Sequence, residues 1–265
     1  MIAGLHFEEH GRRDGVPLIL SAGLGGAGAY WSPNLAALAE RHRVILYDHR
    51  GTGRSDRTLP ADLTVDDMAD DVIALMDGLG LDRADMIGHA AGGVIGLSLA
   101  LRYPERIRRL VGINVWSQPD PHFARCMEVR LTLLRDSGVA AFVRAQPIFL
   151  YPAPWITANF ARLEAEEPQL IENFQGRANL EARIGALLAF DIDARVPEIR
   201  TPALVLAADD DILVPSSCSE RFDRRMANGI VAQVSGGHAC NVTEAEIFNR
   251  MVLGWLGPAQ NAGVE

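Results

Sequence analysis

Short unbroken apolar runs alternate along the chain with stretches whose apolar residues recur every three or four positions. The runs VPLILSA (16–22), VILYD (44–48), ADMIG (84–88), RLVGINV (109–115), ALVLAAD (203–209) and IVAQV (230–234) predict strands. They are continuously aliphatic and β-branched rather than alternating, which points to strands covered on both faces of a parallel sheet. Between them, TVDDMADDVIALMDGL (64–79) is the clearest helix, with Val65, Met68, Ala69, Val72, Ile73, Met76 and Leu79 on one face. Thr64 suits the N-cap, and Asp66 and Asp67 set negative charge in the first turn, where the helix dipole favours it. The expected architecture is α/β, a mostly parallel, doubly wound sheet.

The alternation breaks between residues 117 and 195, where RCMEVRLTLLRDSG, GVAAFVRAQPIFLY, WITANFARLEAEE and NLEARIGALLAFD give helical periods without strands. RTPALVLAADD then resumes the strand code. Such a stretch, bracketed by sheet strands, predicts a helical cap (117–195) inserted into a core made of 1–116 and 196–265. The tail after Leu256, GPAQNAGVE, is expected to fray.

Composition narrows the function classes. A net charge of −9 without a basic stripe argues against a nucleic-acid surface. The first fifteen residues hold no apolar signal core, and no apolar run reaches eighteen, so neither secretion nor a membrane span is expected. Cys126, Cys218 and Cys240 are odd in number and lack metal-ligand spacing, which fits reduced thiols in a cytoplasmic protein. The expected partner is a small-molecule substrate, with no cofactor or metal; a homodimer is left open.

Five stretches carry chemistry. In DMIGHAAGGVIG (85–96) a strand runs through a Gly-rich turn into an apolar helix, the setting of the G-x-S-x-G nucleophile elbow. The central position is Ala90, which has no nucleophilic atom. LSAGLGGAG (20–28) follows a strand and suits an oxyanion loop, with the backbone N–H groups of Leu24 and Ala91 as donors. It lacks the Lys-Ser/Thr of a phosphate loop. YDHRGTGRS (47–55) reads as a structural turn, with His49 a packed or exposed loop residue, and His89 likewise reads as structural. In LAADDDILVP (206–215), Asp211 lies four residues before Pro215; this resembles the seat of the orienting carboxylate in α/β hydrolases, and the resemblance implies Asp211 rather than Asp209 or Asp210. His238, in SGGHACNVTEAE (235–246), follows it as the candidate base. Cys240 is away from the elbow and is disfavoured as a nucleophile.

In this order the motifs resemble the α/β-hydrolase superfamily. SAGLGGAGAYW, YDHRGTG, GHAAGG, AQPIFLYPAPW, FQGRANLEARI, DDILVP and GGHACNVT resemble, more narrowly, the carbamate (aminoacrylate) hydrolase family of the Rut pyrimidine-degradation pathway. The resemblance implies the α/β-hydrolase fold, an alanine native to the elbow, and hydrolysis of carbamate or 3-aminoacrylate. With no serine, the expected chemistry is direct attack by a water that His238 activates and Asp211 orients. The other reading is a pseudo-hydrolase that binds a small metabolite without turning it over. Residues 146–155 (QPIFLYPAPW) are expected to roof the pocket, with Tyr151 and Trp155 lining it.

Overall fold

The structure is a computed structural model and describes residues 1–257. Seven strands, β1 (Phe7–Gly11), β2 (Val16–Ser21), β3 (His42–Tyr47), β4 (Ala84–His89), β5 (Ile107–Ile113), β6 (Ala203–Ala208) and β7 (Gly229–Val234), form one sheet in the order β1-β3-β2-β4-β5-β6-β7. Every pairing is parallel except β1 with β3. Six of these strands overlap the apolar runs of the sequence; β1 does not. Its sequence, FEEHG, is a half-buried edge strand with no apolar run to announce it.

Three helices precede the long insertion: α1 (Ser32–Ala39), α2 (Val65–Gly78) and α3 (Ala91–Arg102). The insertion holds α4 (Pro121–Thr132), α5 (Gly138–Leu150), α6 (Ala153–Ala158), α7 (Phe160–Glu172) and α8 (Arg177–Ala189), and a 3-10 turn (Asp193–Glu198) leads back to β6. After the insertion come α9 (Ser216–Glu220), α10 (Cys240–Thr243) and α11 (Ala245–Leu256). Of the tail expected to fray, only Gly257 lies within the described residues. No described helix is long and apolar enough to cross a membrane.

Two cores explain the unbroken strand runs. Ile19, Ile45 and Met86 pack with α2 and α3 on one face, while Leu18, Leu20, Val44 and Ile87 pack with Leu38, Phe248 and Val252 on the other. Successive strand residues point to opposite faces, so a strand covered on both sides has no polar position to alternate. The first core continues into the insertion through Phe123, Met127, Leu180 and Ile184. Helix α2 starts where its capping chemistry demands. The Thr64 hydroxyl accepts from Asp67 N at 3.1 Å, and the Asp67 carboxylate accepts from Thr64 N at 2.8 Å. Its buried Met68, Val72, Leu75 and Met76 each contribute roughly 1.5–3 kcal/mol relative to exposure.

Because β2 to β7 run parallel, their carboxyl ends all open onto one edge, and the loops singled out in the sequence meet there. Close approach of β4 and α3 depends on glycine. A Cβ on Gly88 would run into Gly92, and one on Gly92 into the Ser21 backbone.

Candidate active site

Ala90 sits between β4 and α3 at φ 46° and ψ −107°, a backbone conformation that L-residues rarely adopt. Strain of this kind costs on the order of 1–3 kcal/mol and persists only where the surroundings enforce it. Here the Ala90 N–H donates to Ile113 O at 2.8 Å, and its C=O accepts from Val94 N at 2.9 Å. The sharp turn leaves Ala91 as the first residue of α3, where the N–H has no carbonyl one turn back to bond. The elbow geometry of a hydrolase is intact around an alanine.

The acid loop sorts its three aspartates into distinct roles. Asp211 accepts from the backbone N–H of Leu213 (2.7 Å) and Val214 (3.0 Å) through Oδ1, and from His238 Nδ1 (2.7 Å) through Oδ2. Its side chain is wholly buried. Asp210 instead accepts from the N–H groups of Gly236 and Gly237, at 3.0 and 2.8 Å, and so anchors the loop that carries His238. Asp209 is exposed. The geometry thus pairs Asp211 with His238 and gives Asp210 a neighbouring anchor role that its sequence position does not reveal.

Held by Asp211, the His238 ring keeps its proton on Nδ1, which leaves Nε2 as the basic atom; Nε2 has no hydrogen-bond partner among the described residues. Two donors fix its backbone: His89 Nε2 and Asn114 Nδ2 each reach the His238 carbonyl at 2.8 Å. Asn114 adopts φ 51° and also accepts from Ala208 N at 2.8 Å, so one side chain ties the ends of β5 and β6 to the His238 loop. His89 stacks on Tyr30 (ring centroids 4.9 Å apart) and meets the His238 ring edge-on at 4.7 Å. Burial first, then the neighbouring His238, hold the His89 pKa well below the usual histidine value, so it stays neutral. Sequence reading gave His89 a structural part and passed over Asn114. The signal for Asn114 was a lone amide at the end of an apolar run.

Several backbone groups of the Gly-rich loop are held by hydrogen bonds. Gly26 N donates to Gly23 O (3.0 Å), His49 N to Gly26 O (2.8 Å) and Gly28 N to Asp48 Oδ1 (2.8 Å). Gln175 Nε2, just before α8, donates to Leu24 O at 3.3 Å. The Leu24 N–H makes no hydrogen bond among the described residues. Leu24 and Ala91 thus each keep a backbone N–H without a partner among the described residues.

Helix α8 braces these loops from the insertion side. Asn179 Nδ2 donates to the carbonyls of Gly51 and Arg57, at 3.0 and 2.9 Å. Arg183 Nη2 donates to His49 Nδ1 at 2.9 Å, and Nη1 to Arg50 O at 3.3 Å. Since arginine only donates, His49 must carry its proton on Nε2, which reaches Ser21 Oγ at 3.0 Å; Ser21 in turn meets Tyr47 OH at 2.7 Å. Burial and then the Arg183 charge push the His49 pKa well below its ordinary value. His49 is a packed, neutral link, not a base. This stripe accounts for the FQGRANLEARI segment.

On the opposite side, Leu150 O accepts from Ala239 N at 3.0 Å, seating the end of α5 against the His238 loop. Tyr151 follows directly. Burial, with the Tyr151 phenol next in effect, raises the Tyr30 pKa well above normal. Trp155 packs on Tyr151 with ring centroids 4.3 Å apart and carries the Arg162 guanidinium 6.0 Å above its own ring. Cys240 is buried, and burial with the nearby Asp211 charge pushes its thiol up to about 12, which leaves no thiolate near neutral pH.

Comparison with known proteins bears on the fold and the family. The profile of the α/β hydrolase fold family matches residues 16–138. A Caulobacter sp. (strain K31) protein named "Putative carbamate hydrolase RutD" is 54% identical over 258 residues, covering 96% of each chain. A Rhizobium rhizogenes (strain K84) protein of the same name is 51% identical over 255 residues, 95% of this chain and 97% of its own. Among solved structures, the enol-lactonase from Burkholderia xenovorans LB400 superposes with a TM-score of 0.86 at 26% identity, covering 96% of this chain and 98% of its own.

Proposed function

The chain belongs to the RutD family of α/β-hydrolase-fold proteins, and from that premise we propose that it hydrolyses a small, labile C–N compound without forming an acyl-enzyme. The candidate substrates are carbamate, giving ammonia and bicarbonate, and 3-aminoacrylate, giving ammonia and malonic semialdehyde. His238 Nε2 takes a proton from a water placed near the Ala90 methyl, the water oxygen bonds to the substrate carbon, and the N–H groups of Leu24 and Ala91 receive the charge that develops. The protonated His238 then returns that proton to nitrogen, in carbamate as the C–N bond breaks and in the imine tautomer of 3-aminoacrylate as the water adds, the hydroxyl proton following the same route when ammonia leaves; Asp211 holds the imidazolium throughout.

The observation that carries this reading is the Asp211–His238 contact of 2.7 Å beside a strained elbow that bears no nucleophile. Base and oxyanion donors alone supply only part of a hydrolase's power. General-base help contributes about 10²- to 10⁴-fold, and a triad enzyme stripped of one member keeps about 10³- to 10⁴-fold over water. Such factors fall short for a peptide bond but suit a compound that already decays unaided. The missing nucleophile equally favours a second reading, a non-catalytic binder of a small metabolite. Ammonia release from freshly generated carbamate and 3-aminoacrylate, with and without protein, decides between them. An excess rate that disappears in His238→Gln is expected; no excess for either compound leaves the binder.

A further inference from the structure

The buried face of α4 is Phe123, Met127, Arg130 and Leu134 together with the turn that follows it, so an arginine occupies a core position. Arg130 is only 4% exposed. Its guanidinium hydrogen-bonds to two uncharged groups, Met127 Sδ at 3.5 Å and Gln146 Oε1, and lies 5.6 Å from the centroids of both the Phe142 and Phe149 rings. Its Nε–H finds no partner among the described residues. Buried guanidinium groups are normally matched by an anion, because desolvating an unpaired charge is expensive. This one has no carboxylate bonded to it. Burial lowers its pKa to about 10, which still leaves it charged at neutral pH.

Three chains of contact run from the neighbours of this cation to the loops of the candidate active site. One turn earlier on α4, Cys126 Sγ reaches Ile212 O at 3.7 Å, beside Asp211. Phe149 precedes Leu150, whose carbonyl is bonded to Ala239 next to His238. The Phe142 ring meets Phe174 at 5.7 Å, and Phe174 precedes Gln175, which holds Leu24. Each of the three loops thus connects, through neighbouring residues, to the surroundings of Arg130; Arg183, the other buried guanidinium without a carboxylate among the described residues, is committed to His49 and the Arg50 carbonyl.

We propose that Arg130 is the anion-recognition point of this site and binds the carboxylate of a small organic acid. The proposal rests on the hydrolytic reading for its consequence but not for its test. Arg130 is separate from the free N–H groups of Leu24 and Ala91, so a substrate gripped at both carries its carboxylate apart from its reacting carbon. 3-Aminoacrylate meets that condition, and one-carbon carbamate does not.

The test needs no turnover. Propionate and its neutral amide, propionamide, are titrated calorimetrically into the full chain as wild type, Arg130→Gln, Arg130→Lys and, as a control at an exposed arginine, Arg224→Gln. Wild type is expected to prefer propionate by about tenfold to a hundredfold, the range of charge-assisted hydrogen bonds. Arg130→Gln loses that preference, Arg130→Lys keeps part of it, and Arg224→Gln keeps it whole. Equal affinity for acid and amide in wild type, or no propionate binding at all, overturns the proposal, and neither result requires a folded variant. A preference that survives Arg130→Gln overturns it as well. A protein that selects propionate yet releases no ammonia keeps the anion site and loses the hydrolase.

Discussion

Asp211→Asn tests the proposed base through its tautomer. In the native loop Oδ1 accepts two backbone N–H groups, from Leu213 and Val214, and Oδ2 accepts the proton on His238 Nδ1. An asparagine keeps its oxygen toward the two N–H groups, because the reversed amide would leave both buried donors facing an NH2 at about 1–3 kcal/mol each. Its Nδ2–H then points at His238 Nδ1 and drives the imidazole proton onto Nε2, the atom that has to accept from water. General-base help of about 10²- to 10⁴-fold should be lost, or about 3–5 kcal/mol of barrier. The equivalent change in the serine-protease triad costs about 10⁴-fold by this same tautomer effect. The assay is ammonia release above the spontaneous background, alongside circular dichroism and a thermal melt to show an unchanged fold. A variant that keeps activity within a few-fold of wild type would refute the assignment of His238 as base.

Ala90→Ser should place a hydroxyl between His238 and the free N–H groups and confer activity on p-nitrophenyl acetate, with an initial burst if deacylation is slow. Activity on carbamate or 3-aminoacrylate should fall or stay level, and a folded variant with no esterase activity would mean that elbow and base are misaligned. Acid should destabilise the fold through His49 and His89, whose folded-state pKa values lie well below normal. The unfolded chain binds protons that the fold refuses, so this stability is full above about pH 6.5. Below it, stability falls by up to about 1.4 kcal/mol per pH unit per histidine until each folded-state pKa is reached. Urea midpoints that do not change between neutral and mildly acid buffer would contradict this. Arg183→Met removes both a donor and a cation from His49, so the His49 pKa should rise and its Nε2–H tautomer lose its hold. Imidazole nitrogen shifts report both effects, and shifts that match wild type would refute the bracing role.

Features set by local chemistry could be read directly from the chain. Six strands follow from apolar runs that need no partner to be recognised, and the start of α2 follows from Thr64 and Asp67 three residues apart. The elbow was legible from small residues at 88 and 90–93, since only those permit so close an approach of β4 and α3. Asp211 was marked out by resemblance, its place four residues before Pro215 matching the acid loop of α/β hydrolases, and the structure brings it to His238. The edge strand β1 escaped notice because one partner and a half-exposed face leave no hydrophobic signature.

What the tertiary structure decided are contacts between residues that lie far apart in the chain. Nothing near position 210 says that Asp210 clasps Gly236 and Gly237, and nothing near 114 says that Asn114 reaches the carbonyl of His238, 124 residues on. Arg130 and Arg183 are the plainest cases. In a helical pattern an arginine counts as a solvent-facing residue, yet both occupy buried faces, because long apolar stems let a guanidinium reach across a core to a distant loop. Periodicity reports which face of an element is greasy. It cannot report which surface that face will meet, and the polar groups that hold the two candidate donors and the candidate base in place are fixed only by that meeting.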